Sequence, residues 1–224
     1  MCGRFSLFSS FEDIIQAFDV EKMINEDEYT KNYNIAPTQN ILSIINDGQM
    51  NRMGYLSWGL IPSWSKDPKI RTKMINARSE TVVEKPSFRE SFKRRRCLIP
   101  MDSFFEWQQI SSSKQPFRIK MKNDQLFAVA GLWDTWRSST GEKINSCTML
   151  TTSPNELMSS LHHRMPVILP TKAYETWLNT LEQDTQLLQS LLVPYPASDM
   201  EAYAVSTAVN SVRNNDQSLI QQIS

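Results

Sequence analysis

Cys2 carries the most chemistry for its position. A small side chain after Met1 permits aminopeptidase removal of the methionine, which leaves an α-amine and a thiol on one carbon, a 1,2-aminothiol. An α-amine has a pKa of about 7.7–8.0 against about 10.4 for lysine, so near neutral pH roughly a third of it is uncharged and nucleophilic, against roughly a thousandth of a lysine amine. Such an amine attacks an aldehyde to give an imine, and the neighbouring thiol can close on the same carbon as a thiazolidine. Taken alone, a Met-Cys start reads more simply as a small apolar residue tucked under a sheet.

Four other residues suit the same chemistry. His162 and His163 are the two histidines of the chain, and an imidazole titrates where sugar-ring opening and imine proton transfers need it. Glu106 sits between Phe105 and Trp107, where desolvation would raise a carboxyl pKa; Phe-Glu-Trp fits an outward-facing residue on an alternating strand equally well. Asn76 offers donors and an acceptor without charge, which suits holding a reactant, although a lone asparagine is more often a turn or cap. Two adjacent histidines without Cys or carboxylate at metal spacing argue against zinc, and neither a metal nor a cofactor is expected. Cys97 and Cys147 lie in apolar strand-like runs and read as inert buried thiols.

The elements that must position these residues read as a mixture. Ser10 and Asp13, with Phe11, Ile14, Ile15 and Phe18 at helical spacing, predict a capped helix. Residues 41–45, Asp47-Gly48 and 52–58 predict a hairpin. Residues 104–107, 117–121, 126–132, 144–151 and 202–205 read as further strands. Ser153-Pro154-Asn155-Glu156 predicts a capping box with proline at the first helical position, a helix to about Ser160 that delivers His162, and a stop at Pro166. Helical patterns recur at 173–178 and 187–192. Without regular βαβ alternation, the expectation is one α+β domain over 1–224, a largely antiparallel, barrel-like curled sheet flanked by short helices.

Lys+Arg and Asp+Glu both number 24, so no global basic field draws the chain to polyanions, and nucleic-acid contact needs a local patch. The run Lys93-Arg94-Arg95-Arg96 is the densest basic stretch and reads as a solvated surface. No run of 18 apolar residues suggests a membrane span, and three cysteines without a disulfide framework point to a reducing cytoplasm, nucleoid-associated if the host is bacterial.

Five segments together resemble the SOS-response-associated peptidase (SRAP) family: Met1-Cys2-Gly3-Arg4-Phe5, Trp58-Gly59-Leu60-Ile61-Pro62-Ser63-Trp64, Asn76-Ala77-Arg78-Ser79-Glu80-Thr81, Phe105-Glu106-Trp107 and His162-His163-Arg164-Met165-Pro166, with Asn34-Ile35-Ala36-Pro37-Thr38 extending the likeness. The resemblance implies a mature N-terminal cysteine that crosslinks to abasic sites in single-stranded DNA. It assigns Asn76 to the active site, Glu106 to acid/base work and His162, rather than its variable neighbour His163, to ring opening. Arg4 and Arg78 match phosphate-contacting positions, as guanidinium forks suit, while Glu80 reads as structural. Trp58, Trp64 and Pro37 would supply stacking and wedge surfaces for unpaired bases, with core packing the alternative for one tryptophan. Rival readings are an N-terminal-nucleophile amidohydrolase such as a class II glutamine amidotransferase, whose Arg-Gly-Pro and Asn-Gly-Glu segments are missing here, a cysteine peptidase that removes its own Met1, and a DNA-binding module without chemistry.

Overall fold

The structure, a computed structural model, describes residues 2–223. The chain enters as β1 (Phe5–Leu7), then α1 (Phe11–Ala17), β2 (Asn32–Ile35) and the hairpin β3 (Asn40–Asn46) and β4 (Asn51–Trp58). It continues through β5 (Asn76–Arg78), α2 (Arg89–Arg94), β6 (Arg96–Met101), β7 (Ser103–Ile110), β8 (Ser113–Met121), β9 (Phe127–Arg137) and β10 (Lys143–Thr152). Short elements complete it: α3 (Glu156–Ser159), β11 (Met165–Pro166), β12 (Ile168–Leu169), α4 (Tyr174–Leu178), α5 (Thr185–Ser190) and β13 (Met200–Ala204).

Local chemistry explains several of these. The Ser10 side chain accepts the Asp13 N–H and buries Phe11 and Ile14 beneath α1, as its spacing predicts. Between β3 and β4, Asp47 Oδ1 accepts the N–H groups of Gln49 and Met50 while Gly48 takes φ +96°, the backbone freedom that glycine supplies.

Strand order β10-β4-β3-β6-β9 returns to β10 and closes a barrel. Its pairings are antiparallel except β4 with β10, where Cys147 lies opposite Trp58; β5 joins β10 in parallel outside the ring. Closure needs a bare backbone at Gly131, where a Cβ would stand 2.7 Å from Cys97 Sγ and 2.9 Å from Ile99. A second sheet runs β13-β8-β7-β1-β2. Phe104 of β7 joins the main core, while Phe105 on its other face packs with Val205, Val209, Leu219 and Ile220 from the C-terminal segment. The α+β class with a largely antiparallel barrel core and short helices is what the sequence leads one to expect.

Some details differ from the sequence reading. The cap of α3 is Asn155, whose side chain accepts the Met158 N–H, so Pro154 precedes the helix and Ser153 does not cap it. Pro166 belongs to β11, beyond a helix that has already ended. The helix expected at 187–192 begins at Thr185 because Asp184 accepts the N–H groups of Gln186 and Leu187. The basic run is half structural: Arg95 pairs with Asp134 at 3.3 Å, and buried Arg96 donates to the carbonyls of Phe92, Lys93, Trp177, Asn179 and Glu182.

Candidate active site

Cys2 is set by the strand that follows it. Phe5 lies opposite Phe104, and the Phe105 N–H donates to the Arg4 carbonyl at 2.9 Å. Continued by two residues, that register lays the start of the chain along Glu106 and Trp107. From the barrel side, Asn76 Nδ2 donates to the Cys2 carbonyl at 3.0 Å. Asn76 is held there by parallel pairing with β10, opposite Met149. Its Oδ1 is buried and has no hydrogen-bond partner among the described residues, an acceptor held in reserve beside Cys2.

Glu106 is 3% exposed. The alternation that allows an outward-facing glutamate fails because β7 is covered on both faces, by the main core and by the C-terminal cluster. Burial pushes its carboxyl up to about 7, where a group exchanges protons readily at neutral pH. The Cys2 thiol is raised well above its ordinary value, first by burial and then by the Glu106 charge.

His162 follows α3. Its Nδ1 lies 3.0 Å from the Arg164 backbone nitrogen and 3.1 Å from the Arg164 carbonyl oxygen, so that ring nitrogen finds a backbone partner in either tautomer. Desolvation lowers its pKa, and exposed His163 stacks on it at 4.2 Å. Arg164 anchors the segment through a bidentate pair with Glu80, at 2.6 and 2.9 Å, and a bond to the Thr151 carbonyl. Glu80 is therefore structural.

Glu106 and His162 line one cleft of about 410 Å³ with Trp107, Lys114 and Asn210. The sequence reading missed Lys114 and Asn210. Lys114 reaches the cleft because β7 and β8 set it opposite Gln109, a register no motif announces. Asn210 comes from a 3-10 turn, Thr207–Asn210, and accepts the Trp107 indole N–H at 2.7 Å.

Candidate nucleic-acid contacts separate. Trp64 is 60% exposed and Arg78 is exposed at the end of β5. Pro37 is half-buried in the turn after β2. Half-buried Arg4 donates through Nη1 to Asn34 Oδ1 at 2.7 Å and the Val209 carbonyl at 2.6 Å, with its guanidinium over Trp107. Trp58 is a correction: it is wholly buried, meets Phe5 edge-on at 5.5 Å and donates its indole N–H to the Ile75 carbonyl. It is a core residue with no face for a base.

The chain matches the SOS response associated peptidase (SRAP) family over residues 1–212, and it belongs to that family. It is 55% identical over 222 residues to the abasic site processing protein YoqW of Bacillus subtilis, covering 99% of each chain. It is 33% identical to the abasic site processing protein HMCES of Xenopus tropicalis, covering 85% of this chain and 66% of that one. A crystal structure of a protein from Bacteroides thetaiotaomicron superposes with a TM-score of 0.90 at 28% identity, covering 99% of this chain and 100% of that one.

Proposed function

We propose that this protein processes abasic sites, capturing them in single-stranded DNA through Cys2 once Met1 has been removed. The observation that carries the reading is the convergence of Asn76 on the Cys2 carbonyl, with Glu106 close enough for its charge to act on the Cys2 thiol and His162 beside Glu106 in the cleft. Relatives named abasic site processing proteins support the same target.

In this reading, neutral His162 moves the proton that opens the deoxyribose to its aldehyde. The Cys2 α-amine adds to C1′, and Glu106 protonates the departing hydroxyl so that water leaves and an imine remains. The thiol then adds across C=N, forming the C–S bond while its proton passes to nitrogen. Asn76 holds the Cys2 carbonyl and, through Oδ1, orients the amine. A thiol buried and raised in pKa is a poor initiating nucleophile, which favours the amine-first order over a cysteine peptidase or amidohydrolase reading.

The test is a denaturing gel after incubating processed protein with a single-stranded oligonucleotide carrying one abasic site. A heat-resistant shifted band is expected, absent for Cys2→Ala and weaker on duplex DNA. Mass spectrometry showing Met1 intact in the crosslinking species would sink the proposal.

A further inference from the structure

A second recess, of about 380 Å³, shares no lining residue with the Glu106–His162 cleft. Arg71 and Lys143 line it together with Thr38, Tyr55, Ser57 and Asn145, and no Asp or Glu does. Two cations among hydroxyl and amide groups, without a carboxylate to neutralise them, make a setting for an anion.

The cationic wall is built into the fold. Arg71 Nη2 donates to the Thr38 carbonyl at 2.7 Å and to Ser57 Oγ. Its backbone lies directly over Gly59, where a Cβ would stand 2.5 Å from the Arg71 carbonyl oxygen and where φ is +129°. The turn that Arg71 grips is itself strained: Ala36-Pro37-Thr38-Gln39 places Thr38 at φ +74°, a left-handed position costly for a β-branched residue. The Thr38 N–H is fixed by the Trp58 carbonyl at 2.8 Å.

The same turn connects the recess to the candidate active site. Phe5 pairs antiparallel with Ile35, the last residue of β2, so the turn at residues 36–39 starts next to the strand that follows Cys2. On the far side, β10 carries Lys143 at its first residue and Met149, the partner of Asn76, six residues later, a span of about 20 Å. A strand whose abasic position sits at Cys2 thus reaches Lys143 with a nucleotide a few positions away.

Resting on the function proposed above, we infer that this recess is a phosphate subsite for one flank of the same single strand, with Arg71 and Lys143 as the cations that meet it. Lys143 is exposed, so Lys143→Glu tests the site without disturbing the Arg71 clamp. The experiment measures the second-order rate of adduct formation at several salt concentrations on oligonucleotides with a central abasic site, and on versions with either flank cut to one nucleotide. On the long oligonucleotide Lys143→Glu is expected to be about tenfold slower at low salt, with a log–log salt slope flatter by about 0.7 for each phosphate no longer neutralised. Shortening one flank should bring wild type down to the rate of the variant. Equal rates and slopes on the long oligonucleotide overturn the subsite, as does a slowing that persists whichever flank is removed. If wild type forms no adduct at all, the crosslinking proposal fails instead. Fluorescence anisotropy with an abasic-free strand then still reads the subsite: weaker binding by Lys143→Glu supports it and unchanged binding rejects it.

Discussion

The barrel interior and the seam beside β7 each bury cysteine, and they do different things with it. Cys97 and Cys147 are fully enclosed; burial raises both thiols, Cys147 to about 12, and the charge that bears on Cys97 in that space is the Cys147 thiol. Cys2 is nearly as enclosed and its thiol is raised by the same cause, but Asn76 grips its carbonyl and Glu106 bears on its sulfur. Burial alone therefore makes a thiol inert. In the proposed function, reactivity at the seam comes instead from a chain start held among groups that move and hold protons.

The sharpest way to break this contrast is substitution of the cysteines one at a time. Cys2→Ala should abolish the heat-stable DNA adduct, whereas Cys97→Ala should leave adduct yield unchanged; an adduct that depends on Cys97 would reverse the comparison. Next in size, Glu106→Gln should slow adduct formation by about 10²–10⁴-fold in single-turnover gels, the range for a positioned acid/base group, and a rate within about twofold of wild type would remove Glu106 from the chemistry. Of similar magnitude, Trp58→Ala should cost about 3–5 kcal/mol in urea unfolding, as removal of a buried aromatic does.

The pH dependence sharpens the same contrast. Glu106 titrates near 7 in the folded chain against an ordinary 4.5, so folding favours its protonated form. Its contribution to stability is intact below about 4.5 and is lost as pH rises to 7. Glu106→Gln stays neutral throughout, so its stability relative to wild type should improve across that window by an amount on the order of 3 kcal/mol. Unfolding curves at about pH 4.5 and pH 7.5 with the same difference between the proteins would contradict a buried carboxyl. The smallest effect belongs to Trp64→Ala, expected to weaken single-strand binding by about 1–3 kcal/mol through lost stacking while leaving folding intact.

Much of the scaffold was readable because its signals are local. The Ser10 cap, the Asp47-Gly48 connection and the strand near Ala202 each depend on residues adjacent in sequence, and each appears where expected. The candidate site was readable through motif likeness, since spacing alone left Glu106 facing either way and Asn76 a turn residue. Legibility ended where long-range packing decides. Trp58 and Trp64 share one segment, yet only the barrel wall buries the first. Lys114 enters the cleft through hairpin register, and Asn210 through a C-terminal segment carrying no periodic pattern. Arg96 looked like surface charge because its carbonyl partners lie up to 86 residues away.

The bond from Arg4 to the Val209 carbonyl spans 205 residues and sets an order of events during synthesis. At about 5–20 residues per second, the ribosome makes the beginning of the chain on the order of 10–40 s before the residue that closes over it. Cys2 is 1% exposed in the finished fold and uncovered during that interval, so the Met1 removal proposed above has a window that closes only when residue 209 has been made.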